Sequence, residues 1–365
     1  MNRAVIVQAK RTPIGKRNGV FKEYQVEKLA APLLLHMSKG IQQEIDDVIL
    51  GNVVGPGGNV ARLSALEAGF PYTVPGVTVD RQCGAGLEAI RMACHFIQGG
   101  AGSCYIAGGV ESTSTSSFQQ RARFSPHHIG DPDMGIAAEH VAKRYGITRD
   151  MQDVYACLSY KRTLEALEKG YLQEEIIPLS SQIKEDETIK RGINYERIIK
   201  RTRPAFLQAG TVTAGNSCGV NDGACAVLIM EENRARELGY KPVLRFVHSA
   251  VVGVNPLFPG SGPIFAVQKL LQQLNLTIED IDYIEMNEAF AAKVVACAQE
   301  LQISYEKLNV NGGAIALGHP YGASGAMLVT KLFYQAQREQ AKYVIATLGI
   351  GGGIGLALLF EKVES

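Results

Sequence analysis

The sequence predicts an α/β fold built from two similar halves. Three observations carry this expectation. Apolar strand patterns alternate with helical ones at both ends of the chain. A glycine-opened helix followed by a strand ending in glycines occurs twice, first at Gly84-Ala85-Gly86 and again at Gly322-Ala323-Ser324-Gly325. With 365 residues and 46% apolar content, the chain can bury a large core divided among two or three units.

In order, residues 4–7 read as a first buried strand, and Arg11-Thr12-Pro13-Ile14-Gly15 as the loop that leaves it. A helix over 25–37, a strand at 47–50, a helix beginning near residue 83 and a strand at 104–107 continue an alternation that predicts a mostly parallel sheet. Composition shifts after Glu111. Residues 112–241 mix helical stretches at 134–145 and 149–169 with a basic segment at 190–203, and read as an inserted loop or cap domain that contacts ligand. The alternation resumes with a strand near 243–247, a helix at 263–274, a strand at 283–286, a helix from 289 and a strand at 343–346. The expected organisation is therefore an N-terminal half, 1–111, the insertion, 112–241, and a C-terminal half, 242–365.

Composition excludes several function classes. A net charge of +1 gives no field for nucleic acid or an anionic membrane, so an anionic ligand must be held by a local cluster. Seven cysteines without C-x-x-C spacing, and no secretory pattern at the start, predict a reducing cytoplasmic setting, no disulfides and no metal site. The uncharged run 343–360 contains five glycines and reads as strand, turn and strand rather than a membrane span.

The stretch most suggestive of chemistry is Val79-Asp80-Arg81-Gln82-Cys83-Gly84-Ala85-Gly86. Cys83 is placed where a helix begins, so unpaired N–H groups and the helix dipole are expected to favour its thiolate. A small buried cysteine with no reactivity is the plainer reading of that stretch alone.

Six segments together resemble the thiolase family: Ala9-Lys10-Arg11-Thr12-Pro13-Ile14-Gly15, the Cys83 stretch, Gly108-Gly109-Val110-Glu111-Ser112, Gly210-Thr211-Val212-Thr213-Ala214-Gly215-Asn216, Asn287-Glu288-Ala289-Phe290, and Asn311-Gly312-Gly313-Ala314-Ile315-Ala316-Leu317-Gly318-His319-Pro320. The resemblance implies a duplicated five-layer α-β-α-β-α architecture and two-step acyl transfer on coenzyme A thioesters. It assigns Cys83 as nucleophile and His319 as the group that takes its proton. Asn287 orients a water beside the second thioester, and the N–H groups of Cys83 and Gly351 hold the oxyanion. A core histidine and a helix-capping asparagine are the plain alternatives for His319 and Asn287.

Coenzyme A contacts are implied for Arg191, Phe206, Ala214, Cys218 and Met134. Arg191 suits a phosphate through its planar fork, with a solvated basic loop as the alternative. The family's second cysteine, which removes the α-proton of the incoming thioester, falls at Gly349, where there is no side chain to do so. Two further departures are Asp133, where several members place a histidine, and a shortened segment between Glu111 and Met134. The shortening points to a homodimer rather than a tetramer. The expected function is thus an acyl-CoA C-acyltransferase using acetyl-CoA or another acyl-CoA, with no tightly bound cofactor, and with its carbon–carbon step impaired at Gly349. An acyl-CoA hydrolase and a non-turnover acyl-CoA-binding protein are the alternatives.

Overall fold

In the computed structural model, which describes residues 2–116 and 121–364, one long mixed sheet runs through the chain. Its strands are β1 (Ala4–Arg11), β2 (Gly15–Lys16), β3 (Asp47–Gly51), β4 (Gly76–Val79), β5 (Cys104–Glu111), β6 (Asn221–Glu231), β7 (Leu244–Gly253), β8 (Tyr283–Met286), β9 (Tyr343–Ile350) and β10 (Ile354–Lys362). The order is β4-β3-β5-β6-β1-β7-β10-β9-β8, with β2 pairing on β6.

The duplication read from the glycine motifs is a repeated topology. β3 runs parallel to β5, and β5 is antiparallel to β6, which is antiparallel to β1. In the other half β8 runs parallel to β9, β9 is antiparallel to β10, and β10 is antiparallel to β7. The two half-sheets meet through Val5↔Arg245 and Ile6↔Leu244.

Strand alternation then sorts the core into layers. Ile6 of β1 and Val344, Ala346 and Leu348 of β9 face a central cluster with Leu87, Ile90, Ala323 and Leu332 from two helices, Ala85–Gln98 and Tyr321–Arg338. Val5 and Val7 face the other way, onto the Val26–Met37 and Val60–Glu67 helices. Ile345, Ala357 and Leu359 face the Gly262–Leu274 and Ala291–Leu301 helices. Three apolar clusters on alternate strand faces make five layers, helix, sheet, helices, sheet, helix.

Two expectations need correction. The sheet is mixed rather than mostly parallel, because β9 and β10 form a hairpin and β6 returns antiparallel after a long excursion. In addition, β6 lies inside the 112–241 stretch read as an insertion, yet pairs with β5 and β1. The segment that leaves the sheet is therefore 112–220. It is tied back at Arg11, whose buried guanidinium donates to Glu175 at 2.9 Å and to Asp186 at 2.7 Å. Losing one partner of such a buried pair costs about 3–5 kcal/mol.

Glycines set the meeting of the two central helices. A Cβ on Gly86 would lie 2.5 Å from the Gly322 carbonyl oxygen, and one on Gly325 would lie 2.4 Å from the Leu87 nitrogen. No side chain fits at either contact. The helix starts are thereby held together, and each carries a candidate catalytic residue just ahead of it: Cys83 before Ala85, and His319 before Tyr321.

Candidate active site

Cys83 sits on a sharp turn between β4 and the Ala85–Gln98 helix. Gln82 just before it has φ 46°, a strained value for a non-glycine residue, held by its N–H donating to Asp80 Oδ1 at 2.7 Å. Gly84 follows, where a Cβ would meet Ile350 Cδ1 at 2.4 Å. The Cys83 turn and the end of β9, which leads into Gly351, are thus packed against each other.

His319 is buried, and its ring is set by its neighbours. Ser324 Oγ donates to the Pro320 carbonyl at 2.9 Å, so its single proton is used and it accepts from His319 Nδ1–H at 2.6 Å. The basic atom is then Nε2, which receives the Asn287 amide at 3.4 Å. The backbone is fixed as well, since His319 N–H donates to Asn221 Oδ1 at 3.0 Å and Asn221 Nδ2 donates to the Gly15 carbonyl at 2.9 Å.

Cys83 and His319 line one cavity of about 660 Å³, together with Met134, Phe206, Cys218, Phe290 and Tyr321. Such a volume lies in the range of small-molecule sites. Cys218 is held against the Asn287 segment by its N–H, which donates to the Ala289 carbonyl at 3.0 Å. Ala214 and Arg191 are exposed and do not line this cavity, and Arg191 occupies a turn before the Tyr195–Arg201 helix. Asn287 lies behind the wall and reaches the site through His319. Gly351 sits at the β9–β10 turn, where a Cβ would come within 3.0 Å of the Phe124 ring.

The expected thiolate is not the resting state. The helix begins only at Ala85, and burial pushes the Cys83 thiol up to about 11 despite the opposing effect of nearby Lys293. Burial, reinforced by Lys293, pushes His319 down to about 3. At neutral pH the pair is thiol and neutral imidazole, so attack has to be coupled to proton transfer. Alkylation of Cys83 by iodoacetamide, followed by peptide mapping, is accordingly expected to accelerate about tenfold per pH unit from about pH 7 to 9. A plateau below about pH 8 would instead reveal a preformed thiolate.

Residue 349 is closed to a side chain by its surroundings. Gly349 pairs with Gly355 in the hairpin, and its φ lies outside the left-handed region. A Cβ there would nonetheless meet the Pro259 carbonyl oxygen at 2.6 Å and Gly260 Cα at 3.4 Å. A cysteine could be accommodated only by moving the backbone of the 259–260 turn.

Sequence reasoning missed Ser324, Asn221, Phe124, Arg121 and Lys293. Arg121 lines the cavity, holds Asp131 and Asp133 at 3.0 and 3.1 Å, and lies over the Phe124 ring at 4.5 Å. Ser324 had one signal in the sequence, its place five residues after His319 in a helix start.

With this geometry in place, the comparisons decide the family. The model of the thiolase N-terminal domain matches residues 4–233, and that of the thiolase C-terminal domain matches residues 240–362. The chain belongs to the thiolase family. It is 56% identical over 360 residues to "Putative acetyl-CoA C-acetyltransferase YhfS" of Bacillus subtilis, covering 98% of this chain and 99% of that one. It is 48% identical over 384 residues to "Putative acetyl-CoA C-acetyltransferase VraB" of Staphylococcus aureus, covering 99% and 100%. Among solved structures, the Bacillus anthracis acetyl-CoA acetyltransferase superposes with a TM-score of 0.93 at 37% identity, over 100% of this chain and 99% of that one. The protein is a thiolase-type acyltransferase, and no helix among the described residues is long and apolar enough to cross a membrane.

Proposed function

We propose that this thiolase transfers acyl groups from acyl-CoA through a thioester on Cys83, as an acetyl-CoA C-acyltransferase. The observation that carries the reading is that Cys83 and His319 line one cavity, with His319 Nε2 left as the basic ring atom. As the acyl-CoA carbonyl is attacked, Cys83 gives its proton to Nε2, which then returns it to the departing coenzyme A thiolate. The Cys83 and Gly351 N–H groups are the proposed oxyanion donors. Exposed Arg191 would serve the nucleotide and Phe206 the adenine side, while Ala214 and Cys218 would lie along the pantetheine chain and Met134 would line the same cavity.

The carbon–carbon step is the unusual part of the proposal. Gly349 stands where the family's proton-abstracting cysteine is read from the resemblance, and the 259–260 backbone fills the adjoining space. The acylation half needs no group there. Brief mixing with acetyl-CoA is therefore expected to add one acetyl group, seen by intact mass and mapped to Cys83. Persistent absence of the adduct would remove the acyl-enzyme reading and leave a binding protein, whereas rapid loss of the adduct to water would favour hydrolysis.

A homodimer belongs to the same proposal, resting on the shortened segment between Glu111 and Met134, of which 117–120 lie outside the described residues. Light scattering at micromolar concentration tests it. A tetramer mass would overturn it.

A further inference from the structure

We infer that Lys293 is the general base of the carbon–carbon step, its ε-amine removing the α-proton for which residue 349 has no side chain. The inference rests on the acyl-Cys83 reading and adds to it a residue that the family motifs do not assign.

Lys293 lies in the first turn of the Ala291–Leu301 helix, only 3% exposed, and its Nζ has no hydrogen-bond partner among the described residues. A lysine in that condition is costly unless its amine is neutral or has a task. The placement supplies the task. A Cβ on Gly260 would meet Lys293 Cγ at 3.1 Å and Cβ at 3.3 Å, and the Cα of the same Gly260 lies 3.4 Å from where a Cβ on residue 349 would be. Gly260 thus borders both the lysine stem and the position that lacks a base, and its missing side chain leaves room for the stem.

The groups around the amine leave it available. Glu288 is the nearby carboxylate, but it is engaged by the Tyr155 and Ser159 hydroxyls, the Asn309 amide and the Ile315 N–H. Cys297, one turn along the same helix, donates its thiol to the Gly260 carbonyl at 3.4 Å. The remaining titratable groups in electrostatic range are Cys83, Cys218 and His319, all three on the cavity wall. Burial drives the amine toward its neutral form, with a lone pair to accept a proton.

The step balances without any further reagent. With Cys83 acylated and the first coenzyme A gone, Lys293 takes a proton from C2 of the second acyl thioester. The C–H electron pair becomes the enolate double bond, and the negative charge moves to the thioester oxygen near His319 and Asn287. Carbon C2 then bonds to the acyl carbon, the bond from that carbon to Cys83 sulfur breaks, and the Lys293 ammonium returns its proton to the thiolate. In thiolysis the same ammonium protonates the leaving enolate.

The test uses the full chain and the Lys293→Met variant, which keeps the length of the side chain without its amine. Three quantities are read: acetylation of Cys83, deuterium uptake from D2O into C2 of acetyl-CoA, and acetoacetyl-CoA thiolysis across pH. Lys293→Met is expected to lose exchange and thiolysis by at least about 10²-fold, while Cys83 acetylation changes by less than about tenfold. The parent's exchange should fall toward acid pH as the amine is protonated, and that limb should vanish in the variant. Lys293→Gln, a second neutral replacement, should behave alike, so that a folding defect in one variant does not decide the matter. Exchange within about threefold of the parent in either folded variant would overturn the inference. A parent that acetylates Cys83 but exchanges no deuterium would overturn it too, leaving the acyl-Cys83 reading intact. A parent that never acetylates would overturn both.

Discussion

Cys83→Ser is expected to bind acyl-CoA and yet transfer acyl groups at least about 10³-fold more slowly than the parent, a conservative figure beside the usual worth of a nucleophile, about 10⁶. The resting state of the pair sets this difference. Cys83 is a thiol pushed up to about 11 and His319 an imidazole pushed down to about 3, so the base holds a proton weakly and the acid gives one up reluctantly. A thiol can still react, because sulfur becomes nucleophilic early in proton transfer and leaves easily when the acyl group moves on. A hydroxyl is a far weaker acid and asks more of His319 than it can give. Rapid-quench mass spectrometry would measure acylation, and calorimetry with a saturated acyl-CoA would measure binding. Acylation of the serine variant within about tenfold of the parent would place the nucleophile elsewhere.

Much of the architecture around this pair was legible in the sequence because short signals fixed it. Strand, turn and glycine-opened helix around Cys83, and the same pattern around His319, describe local backbone needs that glycine meets at Gly84, Gly86, Gly322 and Gly325. The duplication followed from matching those two helix starts. β6 was hidden for the opposite reason. Residues 221–230 are buried on both faces, so they show no alternation, and they follow a long excursion that made them look like part of it.

The electrostatics were legible only in part. Placing Cys83 near a helix start suggested a thiolate, but the helix begins two residues later, and desolvation raises the thiol. Lys293 was invisible for a related reason. A lysine within a helix normally carries its amine to solvent, and only the packing of the 259–260 turn against the Ala291–Leu301 helix shows this one buried and unpartnered among the described residues. The pairing of Arg121 with Asp131 and Asp133 arises from a stretch with no regular period, where sequence patterns give no purchase.

His319→Ala is expected to slow acylation of Cys83 by about 10²–10⁴ at neutral pH, the usual contribution of a positioned acid–base group. Cys218 is itself pushed up to about 12 by burial, and Tyr321 is also raised, so neither is a ready base. Without the imidazole the reaction must run through the small fraction of Cys83 already ionised. The variant's rate should then climb about tenfold per pH unit, following its thiolate, and the gap to the parent should narrow in alkali. Ser324→Ala offers a graded control, because it removes the acceptor that holds Nδ1–H but keeps the ring. A fall of about tenfold, smaller than for His319→Ala, is expected if the serine only fixes the tautomer. A parent-like acylation rate in His319→Ala, or a gap that does not change with pH, would mean that the Cys83 proton leaves by another route.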